Sequence, residues 1–312
     1  MNEKETKNNT IQEKQGTPQW EGKTGGGAFG QSFLLQFLRS VNVRFLYPIL
    51  YLVIPFYILF AGKGRNASYR YFRDRLGYSV WKSAWATFKN HIIFGEVVLD
   101  KFALLAGNSQ QFKIHLDKNG AVAKQMSSDK GFIIAGAHVG NLELAGLCMP
   151  HTKKKINAII FGGERANFQN KRDEAFNKTN INLIPVTEDM SHLFTIKEAL
   201  ERGEIVVIPC DRVFGSPKSI TCDFIEGKAR FPIGTFRLAA QLEVPILTLF
   251  IMKESGTTYK VYEDLLDENP ELQNSTKKAE DMARQYVEKL GKVVKAHPVQ
   301  WFNFFPFWEK QK

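Results

Sequence analysis

The sequence predicts an α/β fold in which helices cover a mainly parallel central sheet, with a membrane-associated helical segment before it. Short, fully apolar runs such as Phe132–Gly136 alternate with helical segments after residue 112. Runs of this length and composition are typical of strands that are buried on both faces. An uncharged run over residues 45–62 lies upstream of them. A chain of 312 residues is long enough for one domain of about 250 residues plus an extension.

The chain is predicted to have three parts. Residues 1–30 are polar and glycine-rich, and we expect a flexible arm. This arm has no apolar core of the signal-peptide kind. Residues 31–65 are predicted to be a membrane anchor or interfacial segment, and residues 66–312 to be the α/β domain.

The uncharged run over residues 45–62 is the main membrane signal. Its 18 residues would span about 27 Å as a helix, which is barely the thickness of the hydrocarbon core. Pro48 and Pro55 would bend such a helix, and basic residues on both sides leave its orientation open. Three interpretations follow: a single transmembrane anchor, a bent hairpin or in-plane helix in one leaflet, or a buried core helix.

The order of the remaining elements follows from hydrophobic periodicity. Residues 66–106 are predicted to be helical, with apolar residues at three- and four-residue intervals after position 80. Strands are predicted at 112–116, 132–136, 156–161, 183–186, 205–208, 220–224, 245–251 and 259–262. Helices are predicted at 120–127, 141–147, 166–178, 191–202, 233–241 and 277–296.

One histidine and one glutamate stand out as candidates for catalysis. His138 comes just after the apolar run 132–136, and Glu143 lies one turn into the predicted helix that follows. Ligands bind beyond the carboxyl ends of strands in open α/β sheets. We expect the Glu143 carboxylate to reach back to the imidazole, so that His138 acts as a general base on a hydroxyl. No serine or cysteine is obviously placed for activation, so the nucleophile is expected to belong to the substrate.

The charge of the chain indicates which macromolecules it could bind, and its cysteines indicate whether it could hold a metal. The net charge of +10 favours polyanions: nucleic acid, anionic lipid or an acidic carrier protein. No zinc-finger spacing, RNP-like aromatic motif or basic helix is present, so nucleic acid is not expected. Cys148, Cys210 and Cys222 fit no CxxC metal pattern and are expected to be free, buried thiols. No metal site and no phosphate-binding glycine loop are predicted.

Several segments accompany the His138-x4-Glu143 pair in a fixed order along the chain. They are residues 161–165 (FGGER), 206–212 (VVIPCDR), 223–234 (DFIEGKARFPIG), 244–246 (VPI), the N-terminal 20–26 and the terminal aromatic residues Trp301, Phe307 and Trp308. In order and spacing they resemble the late acyltransferases of lipid A biosynthesis, within the glycerolipid-type acyltransferase superfamily, whose first motif is similar to the His138-x4-Glu143 pair. The resemblance therefore covers nearly the whole chain.

The resemblance implies a glycerolipid-acyltransferase-like fold and a reaction. Such an enzyme transfers a fatty acyl group from acyl carrier protein to a hydroxyl of a membrane amphiphile, here a lipid A precursor, and needs no cofactor beyond that co-substrate. It would act at the bacterial inner membrane with its active site facing the cytoplasm. His138 would be the base and Glu143 its orienting group.

The same resemblance suggests residues for the acceptor. Arg165 is placed to grip a phosphate or carboxylate, with Lys171 and Arg172 as weaker candidates. Asp211 would orient Arg165 or Arg212, or cap a strand end. Glu226 and Gly227 would shape the acceptor site. The terminal aromatic residues would form either an interface belt or core packing.

Two departures keep the acceptor open. Arg212 stands where the best-known lipid A enzymes carry glutamine, and Glu226-Gly227 partly resembles the glycerolipid enzymes. An alternative in the same fold is therefore an acyltransferase for another hydroxylated lipid, an aryl polyene or an amino-acid lipid. Two other classes are a hydrolase that uses water and a non-catalytic peripheral lipid-binding protein; the absence of a Gly-x-Ser-x-Gly motif argues against a serine esterase.

Overall fold

The computed structural model describes residues 35–60, 62–149, 152–160, 181–187, 189–213 and 218–308. Seven strands form the central sheet in the order β1-β9-β8-β2-β5-β3-β4. They are β1 (Lys113–His115), β2 (Phe132–Gly136), β3 (Ile156–Ile160), β4 (Ile181–Pro185), β5 (Ile205–Pro209), β8 (Ile246–Ser255) and β9 (Thr258–Leu265). Two further strands, β6 (Ser219–Asp223) and β7 (Lys228–Pro232), form a separate antiparallel hairpin.

The predicted mainly parallel sheet is confirmed. Strands β8, β2, β5, β3 and β4 are parallel to one another, and only the β8–β9 pair is antiparallel. Every residue of β2 is buried, as its uninterrupted apolar sequence predicts. Strand β2 is the central strand of the seven, with β5 and β8 on either side, so its carboxyl end lies in the middle of one edge of the sheet.

Seven α-helices lie wholly within the described residues, three of them before the first strand in the chain and four between or after the strands. They are α1 (Tyr47–Phe60), α2 (Gly62–Arg70), α3 (Val80–Leu105), α4 (Ala121–Met126), α5 (Ser191–Glu201), α6 (Gly234–Leu242) and α7 (Ser275–Ala296). The Ser79 hydroxyl accepts a hydrogen bond from the Lys82 amide and caps α3, and Asn274 caps α7 in the same way. The helix predicted at 166–178 lies outside the described residues.

Two local predictions differ from the structure. Residues 141–147 were expected to be α-helical, but Leu142–Cys148 is a 3-10 segment, and Gly140 before it has φ +54°. Strand β7 was not predicted, because its sequence KARFP carries two charges and a proline and only its second and fourth residues are buried. A hairpin with one exposed face tolerates this pattern.

The apolar run near the N-terminus is broken into two helices. Among the described residues, no single helix is long and apolar enough to cross a membrane. Tyr47–Phe60 and Gly62–Arg75 together have the required length and composition, but they are bent by 98°. Helix α1 packs against α3, and most of its apolar side chains are exposed. The interpretation of α1 as a buried core helix is therefore wrong.

The C-terminal aromatic residues belong to the core. Trp301 is 1% exposed, and its ring meets those of Tyr71, Phe224 and Trp308 edge-on. Of the two alternatives for this segment, core packing is confirmed. Cys148, Cys210 and Cys222 are free and buried, as expected.

Candidate active site

The loop that carries His138 is held tightly after β2. The Phe302 amide donates to the His138 carbonyl, and the Gly140 amide donates to the Gln300 carbonyl, both at 3.0 Å. A Cβ atom at position 140 would lie 2.0 Å from the Ile251 carbonyl oxygen, and the φ of +54° also favours glycine. The backbone around His138 is therefore clamped by β8 on one side and the C-terminal segment on the other.

Asp211 reaches His138 because their strands are neighbours. Strand β2 pairs with β5 so that Gly136 lies opposite Pro209, and each catalytic candidate follows its strand by two residues. The Asp211 carboxylate accepts a 2.8 Å hydrogen bond from His138 Nδ1 through Oδ1, and it accepts the His138 backbone amide through Oδ2 at 3.0 Å. Two contacts to one carboxylate fix both the backbone and the ring.

The electrostatics keep Asp211 ionised. Asp211 is 1% exposed, and burial by itself raises the pKa of its carboxyl group. The opposing effects of His138, through charge and hydrogen bonds, and of the Arg212 charge are larger together and hold this pKa at about 2. A carboxylate that stays negative beside Nδ1 favours the tautomer with its proton there and stabilises an imidazolium.

The other face of the imidazole is open. The His138 side chain is 34% exposed, and within the described part of the chain no hydrogen bond is made to Nε2. An imidazole oriented through Nδ1 with an accessible Nε2 can accept a proton from a bound hydroxyl and return it later.

The expected contact between Glu143 and the orienting nitrogen of His138 is not what the structure shows. Nδ1 is bound by Asp211, whereas Glu143 Oε1 forms an ion pair with Lys101 Nζ of α3. The helical segment begins at Leu142 instead of Asn141 and is 3-10, so the spacing of one α-helical turn does not apply. Glu143 therefore contacts α3 through its ion pair with Lys101.

Arg212 is turned toward the C-terminal segment. Its Nη2 donates to the Phe302 carbonyl at 2.9 Å, and its guanidinium lies 5.1 Å from the centre of the Phe305 ring. Burial lowers the pKa of Arg212, with Asp211 acting against this effect. Asp211 was expected to orient an arginine or to cap a strand; it lies beside Arg212, but its hydrogen bonds go to His138.

Glu226 and Gly227 lie in the turn between β6 and β7. Arg75 Nη1 donates to the Glu226 carbonyl at 2.7 Å, while the Glu226 side chain is 75% exposed. A Cβ atom at position 227 would lie 2.5 Å from Arg75 Nη1 and 2.7 Å from Trp308 Cδ1. Glycine is therefore required for the close approach of Arg75 and Trp308. Among the described residues, no hydrogen bond or ion pair joins this turn to His138 or Asp211.

Three arginine and lysine candidates cannot be placed, because Arg165, Lys171 and Arg172 lie outside the described residues. In the described ranges no group of three or more His, Cys, Asp or Glu side chains is arranged to hold a metal ion.

The role of Asp211 at the histidine was missed from the sequence. The available signal was its place directly after an apolar strand, like that of His138 after β2. The sequence does not show that β2 and β5 are neighbours in the sheet, because β3 and β4 lie between them along the chain. Lys101 was missed because nothing in its helical sequence marks it as a partner of Glu143.

Comparison with known proteins supplies the family. The family described as bacterial lipid A biosynthesis acyltransferase matches residues 100–310, which is more than half of the chain and includes every described residue of the candidate site. A search of curated proteins gives no match. With a mainly parallel α/β sheet, a histidine at its carboxyl edge and this match, the chain belongs to the bacterial lipid A biosynthesis acyltransferase family and is an acyltransferase.

Proposed function

We propose that the protein transfers a fatty acyl group from acyl carrier protein to a hydroxyl of a lipid A precursor, with His138 as the general base and Asp211 as its orienting group. The observation that carries this proposal is the 2.8 Å contact between Asp211 and Nδ1 of a histidine whose Nε2 is open. Family membership supports acyl transfer and lipid A as the context.

The reaction needs one proton carrier. His138 Nε2 takes the proton of the acceptor hydroxyl while its oxygen attacks the thioester carbonyl carbon, which forms a C–O bond and a tetrahedral oxyanion. When this intermediate collapses, the C–S bond breaks and the leaving sulfur takes the proton back from Nε2. Asp211 remains a carboxylate throughout and stabilises the transient imidazolium. The co-substrate supplies the acyl group, and no other cofactor is needed.

The remaining assignments of the acceptor site stay predictions. Arg165, Arg212, Glu226 and Gly227 were selected from a resemblance. Of the described three, Arg212 lies next to Asp211, and the Glu226–Gly227 turn is bound by Arg75. We keep Arg212 as the described candidate for an anionic acceptor group, since it lies next to Asp211 and its buried Nε has no hydrogen-bond partner among the described residues.

We propose that the exposed face of α1 and the first turns of α3 contact the cytoplasmic leaflet of the inner membrane. Fourteen residues of α1 reach about 21 Å, less than a bilayer core, so an in-plane arrangement is favoured. Phe60, Trp81 and Trp85 are 87%, 86% and 63% exposed. Clustered apolar and tryptophan side chains of this kind are typical of a membrane interface.

Ring contacts connect this surface to the active site. Tyr57 of α1 contacts His91 of α3, and His91 contacts Phe304. Phe304 in turn meets Phe302, whose amide binds the His138 carbonyl. These contacts join the proposed membrane surface to the C-terminal segment that holds the loop of His138.

The base is tested by His138→Ala. We expect acyl transfer from acyl carrier protein to a lipid A precursor to fall by about 10³-fold, the usual scale for loss of a general base. His115→Ala is the matched control, because His115 is an exposed histidine paired with Glu254 on another part of the sheet. Product ester and free fatty acid are both measured by mass spectrometry.

Each outcome separates the candidate functions. Near wild-type transfer by a folded His138→Ala protein would overturn the mechanism. Release of free fatty acid without ester would indicate a hydrolase. Absence of both activities in the wild type, with lipid binding retained, would indicate a non-catalytic lipid-binding protein. Lipid analysis of a deletion strain identifies the acceptor as the species that lacks one acyl chain.

A further inference from the structure

Two neighbouring charged residues of α3 have different surroundings. Lys101 forms an ion pair with Glu143, and both side chains are partly exposed. Asp100, one residue earlier, is completely buried. Successive residues of an α-helix point about 100° apart, so fixing Asp100 in the interior also fixes the direction in which Lys101 points.

Asp100 is the centre of a buried polar cluster. Its Oδ2 atom lies 2.5 Å from Lys253 Nζ and also accepts the Tyr259 hydroxyl, while its Oδ1 accepts the Tyr47 hydroxyl at 2.5 Å. Lys253 also donates to the Tyr47 hydroxyl at 2.8 Å and lies 3.5 Å from Glu96. Burial raises the pKa of Asp100, and Lys253 opposes this effect. These contacts attach α3 to β8 and β9 and also hold the start of α1.

The cluster is also connected to the catalytic loop by the backbone. The Gln300 side chain accepts the Lys253 amide at 2.8 Å and donates to its carbonyl at 2.7 Å. The Gln300 carbonyl accepts the Gly140 amide at 3.0 Å. The Asn141 amide donates to the Ile251 carbonyl at 2.8 Å, two residues before Lys253 on β8. The loop and α3 are thus held to the same stretch of β8.

We propose that Lys101 is a positioning residue that fixes the Glu143 carboxylate beside the active site, and that the buried Asp100–Lys253 pair sets the rotation of α3 that makes this possible. Glu143 is the residue that the family resemblance places in the catalytic motif, so the inference rests on the proposed function. Asp211 binds Nδ1 of His138, so Glu143 is not needed to orient the imidazole. The ion pair with Lys101 holds the Glu143 carboxylate at a separate, fixed position in the loop.

The Lys101–Glu143 ion pair is partly exposed, which indicates that it positions the carboxylate more than it stabilises the fold. Exposed ion pairs add little to stability, because water screens the charges and two long side chains lose freedom. Small displacements of a group in an active site, in contrast, change rates by about 10- to 100-fold. We therefore expect substitution of Lys101 to change the rate much more than the stability.

The experiment is a double-mutant cycle with Lys101→Met and Glu143→Gln on the full chain. We expect Lys101→Met to lower kcat by about 10- to 100-fold with little change in KM for the acyl donor. Lys101→Arg should recover most of the loss, since it keeps the charge. Lys197→Met is the control, because it removes a more exposed ion pair, with Glu201, on helix α5, which carries no residue of the candidate site.

The double-mutant cycle shows whether Lys101 affects kcat through Glu143 or independently of it. If Lys101 acts through Glu143, Lys101→Met should cause no further loss in the Glu143→Gln background. An equal loss in both backgrounds, or wild-type kcat for Lys101→Met alone, would overturn the proposal.

Hydrogen exchange provides a readout that does not need activity. We expect amides of the segment Leu142–Cys148 to exchange faster in Lys101→Met than in the wild type and in Lys101→Arg. Unchanged exchange in this segment would contradict positioning. If the wild type transferred no acyl group, the proposed function would fail while the exchange comparison still decided whether Lys101 holds the loop.

Discussion

The imidazole of His138 is held by a residue 73 positions away in the chain. Asp211 is buried and negative, and two of its contacts go to His138. A buried carboxylate without a cationic or hydrogen-bonding partner would become neutral, since desolvation favours the protonated form. His138 and Arg212 therefore keep Asp211 charged, and Asp211 in turn keeps His138 oriented.

Because Asp211 is held ionised by its partners, the free energy of unfolding should fall at low pH. The pKa of Asp211 is held at about 2 in the folded protein, below its usual 3.8, so its contribution is complete above about pH 4 and is lost as the pH falls toward 2. Between pH 5 and pH 3 the wild type should lose about 1 kcal/mol more unfolding free energy than Asp211→Asn. Urea unfolding at the two pH values measures this difference. Equal losses in both proteins would show that the carboxylate is not stabilised by its partners.

At the scale of elements, α3 organises three regions of the protein. Its first turns expose Trp81 and Trp85, its middle packs against α1, and its last turns carry Asp100 and Lys101. The periodicity of its sequence predicted the helix, and Ile92, Val97 and Phe102 of its apolar pattern are buried, whereas Trp81 and Trp85 are exposed. Asp100 interrupts the apolar pattern near the end of this helix. A carboxylate at such a position indicates a cationic partner opposite the helix, and that partner is Lys253.

The buried pair on α3 predicts a large effect of removing one partner. Lys253→Met leaves the Asp100 carboxylate buried without its cation, and we expect a loss of about 3–5 kcal/mol in unfolding free energy. The double variant Asp100→Asn with Lys253→Met should lose much less, since no uncompensated charge remains. Urea unfolding of both variants tests this. A single variant with wild-type stability would mean that water reaches Asp100.

For the whole molecule, the apolar surface of α1 and the candidate active site are connected by aromatic packing. The proposed membrane contact is supported by the exposed apolar side chains and by the net charge of +10. Anionic headgroups attract a basic protein, and buried apolar side chains then hold it at the interface.

Vesicle binding tests this surface. Replacing Trp81 and Trp85 by serine should weaken binding to vesicles that contain phosphatidylglycerol by about tenfold per tryptophan, since each loses apolar burial. Phe194→Ser is the matched control, because this equally exposed aromatic residue lies on α5. Acyl transfer in detergent should be retained in the tryptophan variants. Unchanged vesicle binding would mean that another surface carries membrane association.

The sequence by itself determined the strands of the parallel sheet, the long helices and the place of His138, because local periodicity and apolar run length report burial directly. It did not determine which carboxylate meets His138. That choice depends on β5 lying beside β2, and on the 3-10 conformation of the segment Leu142–Cys148 that carries Glu143. Neither the strand order nor this conformation follows from the local sequence. The tertiary structure therefore decided that Asp211 orients the histidine while Glu143 pairs with Lys101.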